Sequence, residues 1–91
     1  MALLNEEEIA GELGTVPGWA RDGDSIVRTF GHKGFPEAVA FVNRVAELAE
    51  AADHHPDILI QWNKVTLTLS THSAGGLTGK DFALARQADQ V

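Results

Sequence analysis

The sequence predicts an α+β fold: one domain over residues 1–91, elements in the order α-β-β-α-β-β-α, with helices covering one face of an antiparallel sheet. Three observations carry this. Trp19 to Phe30 and Asp57 to Thr71 each alternate apolar and polar residues on both sides of a short polar break, the pattern of a β-hairpin. Phe35 to Ala52 repeats apolar residues at three- and four-residue steps, the pattern of a helix that buries one stripe. Two capping motifs, at Asn5 and Thr78, open further helices on either side.

Taken in order, Leu4-Asn5-Glu6-Glu7-Glu8-Ile9 starts the first helix. Asn5 is the N-cap, Glu8 its reciprocal partner, and Leu4 with Ile9 the hydrophobic staple. The three glutamates suit the positive end of the helix dipole and read as a solvated first turn. Gly14 and Pro17-Gly18 end it, and Trp19 is expected in the core. Trp19-Ala20-Arg21 and Ile26 to Phe30 flank Asp22-Gly23-Asp24-Ser25, whose Asp-Gly is a strong turn signal. Gly31 to Gly34 is a loop in which His32 is expected to stay solvated.

In the longest helix Pro36 is read as the first helical residue, where its missing N–H costs nothing. Ala38, Phe41, Val42, Val45, Leu48, Ala49 and Ala52 form the apolar face, opposite Glu37, Arg44 and Glu47. The second hairpin is read with Asn63-Lys64 as its turn. Trp62 then faces Val65, Ile60 faces Leu67 and Ile58 faces Leu69, which puts Trp62 in the core. Extending that register sets His55 opposite His72, with Cβ atoms about 4.5–5.5 Å apart. Pro56 cannot donate to the ladder, so pairing is expected to stop near Asp57 and leave both histidines at an open hairpin mouth. Ser73 to Gly76 is a loop. Thr78, with Asp81 as partner and Leu77 and Phe82 as staple, then starts a last helix to about Ala88.

Composition bounds the function. At 91 residues, 44% hydrophobic and 22% charged, the chain reads as a small globular domain. Without cysteine it has no disulfide and no thiolate metal site. Its start lacks the basic and long apolar segments of a signal peptide, and no apolar run reaches membrane-spanning length, so the cytoplasm is the expected address. The net charge is −6 and the seven basic residues are scattered, which argues against direct nucleic-acid binding.

The chemistry gathers between Glu50 and Asp81, which hold three of the four histidines. Four readings of His54, His55 and His72 stay open on spacing alone. They are general acids and bases, because imidazole titrates nearest neutral pH; zinc ligands; structural groups bonded to the backbone; or a fortuitous surface cluster. Adjacent His54 and His55 point to opposite sides of an extended backbone, which weighs against zinc. Capping alone accounts for Asp81, and a solvated helix edge for Glu50.

Glu50, His54-His55-Pro56, Trp62, His72 and Asp81, at these spacings, resemble the signature of the pterin-4a-carbinolamine dehydratases. Pro17-Gly18-Trp19, Phe41-Val42-Asn43-Arg44-Val45 and Leu69-Ser70-Thr71-His72 extend the resemblance over the whole chain. It implies a four-stranded antiparallel sheet with three helices on one face. It also implies a hydro-lyase that removes water from 4a-hydroxytetrahydropterin to give the quinonoid dihydropterin, with no metal and no redox cofactor. The site residues implied are His54 and His72 as proton donors and acceptors, His55 and Glu50 in substrate binding, and Asp81 orienting a histidine. As partners it implies a pterin substrate, a homodimer or homotetramer, and a link to an aromatic amino acid hydroxylase. Some animal members also bind a homeodomain transcription factor, so a non-catalytic pterin-binding or protein-partner module is the second expectation.

Overall fold

The computed structural model describes residues 2–91 and follows the predicted order. Helix α1 (Glu6–Leu13) precedes strands β1 (Ala20–Asp22) and β2 (Ser25–Gly31); helix α2 (Phe35–Ala52) then leads into β3 (Asp57–Gln61) and β4 (Lys64–Leu69). A single 3-10 turn, His72–Ala74, separates β4 from helix α3 (Gly79–Asp89). The strands form one antiparallel sheet in the order β1-β2-β4-β3, so the two hairpins join along β2 and β4.

Alternation decides which sheet face is covered. Val65, Leu67 and Leu69 of β4 are buried while Thr66 and Thr68 are partly exposed, and Ile26 of β2 joins the buried set. Ile9 of α1, Ala38, Phe41, Val45 and Ala49 of α2, and Phe82, Leu84, Ala85 and Ala88 of α3 close over it as one cluster. Each large apolar side chain buried there contributes about 1.5–3 kcal/mol. On the opposite face the Thr29 and Thr66 hydroxyls meet at 2.9 Å.

Both capping boxes form. Asn5 accepts the Glu8 N–H at 2.8 Å and donates its own N–H to Glu8 Oε1 at 2.9 Å. The N–H of Leu4 bonds the Leu77 carbonyl at 3.0 Å, which ties the start of α1 to the start of α3. Trp19 lies in the core as expected, with its indole N–H donating to Asp89 Oδ1 at 2.9 Å. Arg28 reaches the same oxygen at 2.8 Å, so one carboxylate near the end of α3 holds both β2 and the Trp19 loop.

Four details differ from the sequence reading. The first hairpin turns on Gly23 and Asp24 alone, because Gly23 supplies the positive φ of 59° that a two-residue turn needs; Asp22 and Ser25 therefore pair. The second hairpin is slipped by two residues from the predicted register: Ile60 faces Val65 and Ile58 faces Leu67. The turn is therefore Trp62-Asn63, with Trp62 at φ 50°. A two-residue slip keeps every side chain on its own face, so the apolar stripes still meet. It expels Trp62, which is 72% exposed at the tip instead of packed in the core, and it removes the predicted His55–His72 pair. Pairing ends at Asp57, as Pro56 requires. His32 is half-buried rather than solvated. Its ring lies 4.8 Å from that of Phe41, and its backbone bonds Asn63 in both directions, at 2.8 and 3.0 Å.

Because Trp62 carries a left-handed backbone and buries little, Trp62→Gly is expected to raise the unfolding free energy by about 0.5–1 kcal/mol. Urea denaturation measures this. A loss of stability would instead support a buried Trp62 and the register with Asn63-Lys64 as the turn.

Candidate active site

The site is built where three chain segments change direction. Helix α2 ends in a Schellman motif: the Asp53 N–H bonds the Glu50 carbonyl at 3.2 Å, and the His54 N–H bonds that of Ala49 at 3.0 Å. Asp53 holds the left-handed position at φ 50°, which aspartate tolerates better than most residues. This reversal gives the two adjacent histidines different environments. His54 is buried at 8% exposure, and the His55 side chain is 58% exposed.

His54 packs against the start of α3, with its Nε2 2.6 Å from Asp81 Oδ1. Asp81 is fully buried and does more than cap its helix. Its Oδ2 accepts the Thr78 N–H at 2.9 Å and the Thr71 hydroxyl at 2.8 Å. As a carboxylate it can only accept, so neutral His54 carries its proton on Nε2 and leaves Nδ1 without a hydrogen-bond partner among the described residues. That tautomer follows from the hydrogen-bond network. The other pair is open to solvent: His55 Nε2 and Glu50 Oε2 lie 2.5 Å apart, with side chains 58% and 77% exposed.

His72 opens the 3-10 turn after β4, exposed and, among the described residues, with no side-chain hydrogen bond. Together His54, His55 and His72 line one cleft of about 330 Å³, completed by Asp53, Ser70, Thr71, Ser73 and Lys80. Asp81 stands directly behind it through His54, and Glu50 beside it through His55. All five site residues read from the sequence therefore lie in or against one cleft, whereas Trp62 is at the far tip of the β3–β4 hairpin. Among the described residues, no three His, Asp or Glu side chains lie close enough to hold a metal ion together.

The sequence reading missed Thr71 and Lys80. Thr71 carried a signal: it continues the inward phase of Val65, Leu67 and Leu69, and a hydroxyl there needs a buried partner. Lys80 carried none, since a lysine in a helix first turn reads as solvated.

The geometry defines a class: a small α+β domain whose sheet end carries a buried histidine–carboxylate pair on the wall of an open, imidazole-lined cleft, suited to moving protons. The chain belongs to the pterin 4 alpha carbinolamine dehydratase family, whose profile matches residues 2–91. It is 62% identical over 99% of its length to a protein of Roseiflexus castenholzii with the provisional name pterin-4-alpha-carbinolamine dehydratase, covering 97% of that protein. A protein of Nocardia farcinica with the same provisional name is 60% identical, over 98% of this chain and 94% of that one. Among solved structures, a transcriptional coactivator/pterin dehydratase from Brucella melitensis superposes with a TM-score of 0.92 at 36% identity, over 96% of this chain and 95% of that one. A pterin dehydratase-like protein described as a RuBisCO assembly factor in the alpha-carboxysome shares the fold, with a TM-score of 0.68 at 24% identity, over 80% and 87% of the two chains. With its relatives the chain stands among the hydro-lyases.

The two histidine–carboxylate pairs are expected to differ sharply in stability. Asp81→Ala leaves buried Thr71, Thr78 and His54 donors unpartnered and is expected to cost about 3–5 kcal/mol. Glu50→Ala, at an exposed pair, is expected to cost less than about 1 kcal/mol. Urea midpoints at equal m-values decide both.

Proposed function

We propose that this protein dehydrates 4a-hydroxytetrahydropterin to the quinonoid dihydropterin by histidine acid–base catalysis. The observation that carries the reading is the cleft that three imidazoles share, one of them fixed by a buried carboxylate. In the reaction the N5–H bond gives up its proton, its electron pair forms the C4a–N5 double bond, and the C4a–O bond breaks. The hydroxyl leaves with a proton as water. One base and one acid suffice, and no electron leaves the pterin, so the step needs neither a metal nor a redox cofactor.

His54 fits the base. Its open Nδ1 accepts a proton, and Asp81 stabilises the imidazolium that forms, the role a buried carboxylate plays behind a catalytic histidine. His72, on its turn with neither ring nitrogen bonded among the described residues, fits the acid that protonates the departing hydroxyl. His55, held by Glu50 at the rim, fits a pterin contact. The same family likeness supports a homodimer or homotetramer and a supply of recycled pterin to an aromatic amino acid hydroxylase. Ile58, Leu59 and Trp62, exposed on and beside edge strand β3, leave apolar area that assembly would cover.

Stopped-flow absorbance of 4a-hydroxytetrahydropterin decay tests the reading. Wild-type protein is expected to accelerate decay with or without a chelator, and His54→Ala and His72→Ala each to lose about 10²–10⁴-fold. No acceleration by folded wild-type protein would sink the enzymatic reading in favour of a pterin-binding or protein-partner module. Loss of rate with chelator alone would revive zinc.

A further inference from the structure

We propose that Thr71 is a positioning residue for this reaction: its hydroxyl fixes Asp81, and through Asp81 His54, while its backbone carries the turn that presents His72. The inference rests on the dehydratase reading. The hydrogen-bond directions can be assigned from the number of protons available. Thr71, Thr78 and Asp81 are 4%, 0% and 0% exposed, so their partners are chiefly groups of the chain itself. Each hydroxyl has one proton, and a carboxylate has none to give. The Thr71 proton goes to Asp81 Oδ2 at 2.8 Å, so the 2.8 Å contact between the Thr71 and Thr78 oxygens is bridged by the proton of Thr78. Thr78 Oγ1 in turn accepts the Lys80 N–H at 3.3 Å.

The result is a one-way chain: Lys80 N–H to Thr78 hydroxyl, to Thr71 hydroxyl, to Asp81, with each bond polarising the next. The Thr78 N–H makes a second bond to the same Oδ2 at 2.9 Å. With Oδ2 held twice, the carboxylate cannot rotate without breaking a buried bond, and Oδ1 stays aimed at His54 Nε2. The same residue organises the other side of the cleft. The Thr71 carbonyl accepts the N–H groups of Ala74, Gly75 and Gly76 at 3.0, 3.0 and 3.3 Å, and its own N–H bonds the Gly76 carbonyl at 2.9 Å. Those four bonds close the turn that begins at His72.

The two halves separate by mutation, because Thr71→Val removes the hydroxyl and keeps the backbone. The test compares wild-type, Thr71→Val and Thr71→Ser chains by steady-state dehydration and by long-range ¹H–¹⁵N correlation of the histidine rings. In the valine variant kcat is expected to fall about tenfold or more, as when a partner that orients a functional histidine is lost. KM is expected to stay within about twofold, since the lost interaction does not touch substrate. The His54 ring signals are expected to leave the Nε2–H pattern while those of His72 stay in place, and serine to restore both readings. If the valine chain does not fold, Thr71→Ala is read the same way. A folded variant with unchanged His54 signals and kcat overturns the proposal, and so does equal disturbance of His54 and His72. If the wild-type chain does not accelerate dehydration, the dehydratase reading falls, and the ring signals still decide the positioning one.

Discussion

A carboxylate that no water reaches must find all its hydrogen bonds within the chain, and Asp81 sets that condition on the whole sheet end. Its three donors come from three places: His54 from the loop after α2, Thr71 from the end of β4, and Thr78 from the N-cap of α3. None of these segments could shift by a residue without leaving a buried donor or acceptor unmatched. The apolar cluster under the sheet tolerates exchanges of similar volume, but this polar knot tolerates few. It therefore locates the cleft, because the three segments it joins are the ones that carry His54, His72 and the first turn of α3.

Local chemistry was the most legible part of the sequence. The caps at Asn5 and Thr78 are set by interactions within four residues, and α2 runs from Phe35 to Ala52 as its apolar stripe predicts. The register of the second hairpin was not legible, for a definite reason. Pairing Ile60 with Val65 or with Leu67 matches the same two apolar stripes, so hydrophobic pattern cannot choose between them. Turn geometry chooses, and it places Trp62, a residue that turn chemistry does not favour, at a positive φ. His32 was misread for a related reason. Its burial comes from Phe41 and Asn63, one in α2 and the other at the tip of a hairpin distant in sequence, and no window around Gly31 to Gly34 shows either.

The residues of the candidate site were legible as a set, but their division was not. The signature spacing names His54, His55, His72, Asp81 and Glu50 without saying which histidine meets which carboxylate. That pairing depends on Asp53, whose left-handed backbone reverses the chain after α2 and sends His54 inward. An aspartate between Ala52 and two histidines reads as one more polar residue before a proline. Its conformational role appears only when the helix end is seen.

That division bears on what the cleft can do. On the proposed dehydratase reading, a fixed base and an exposed acid would answer different needs. The proton on N5 would have a fixed place in a bound pterin, so a base held to one orientation would lose nothing and gain alignment. The departing hydroxyl moves away from C4a as the bond breaks, and a group on an exposed turn can follow it. His54, buried and bonded through Nε2, has the first character; His72, exposed on its 3-10 turn, has the second. His55 with Glu50 at the solvent rim has neither constraint, which suits contact with a ligand that must arrive and leave. On that reading, the asymmetry of burial among three chemically identical side chains would let one small cleft supply both an acid and a base.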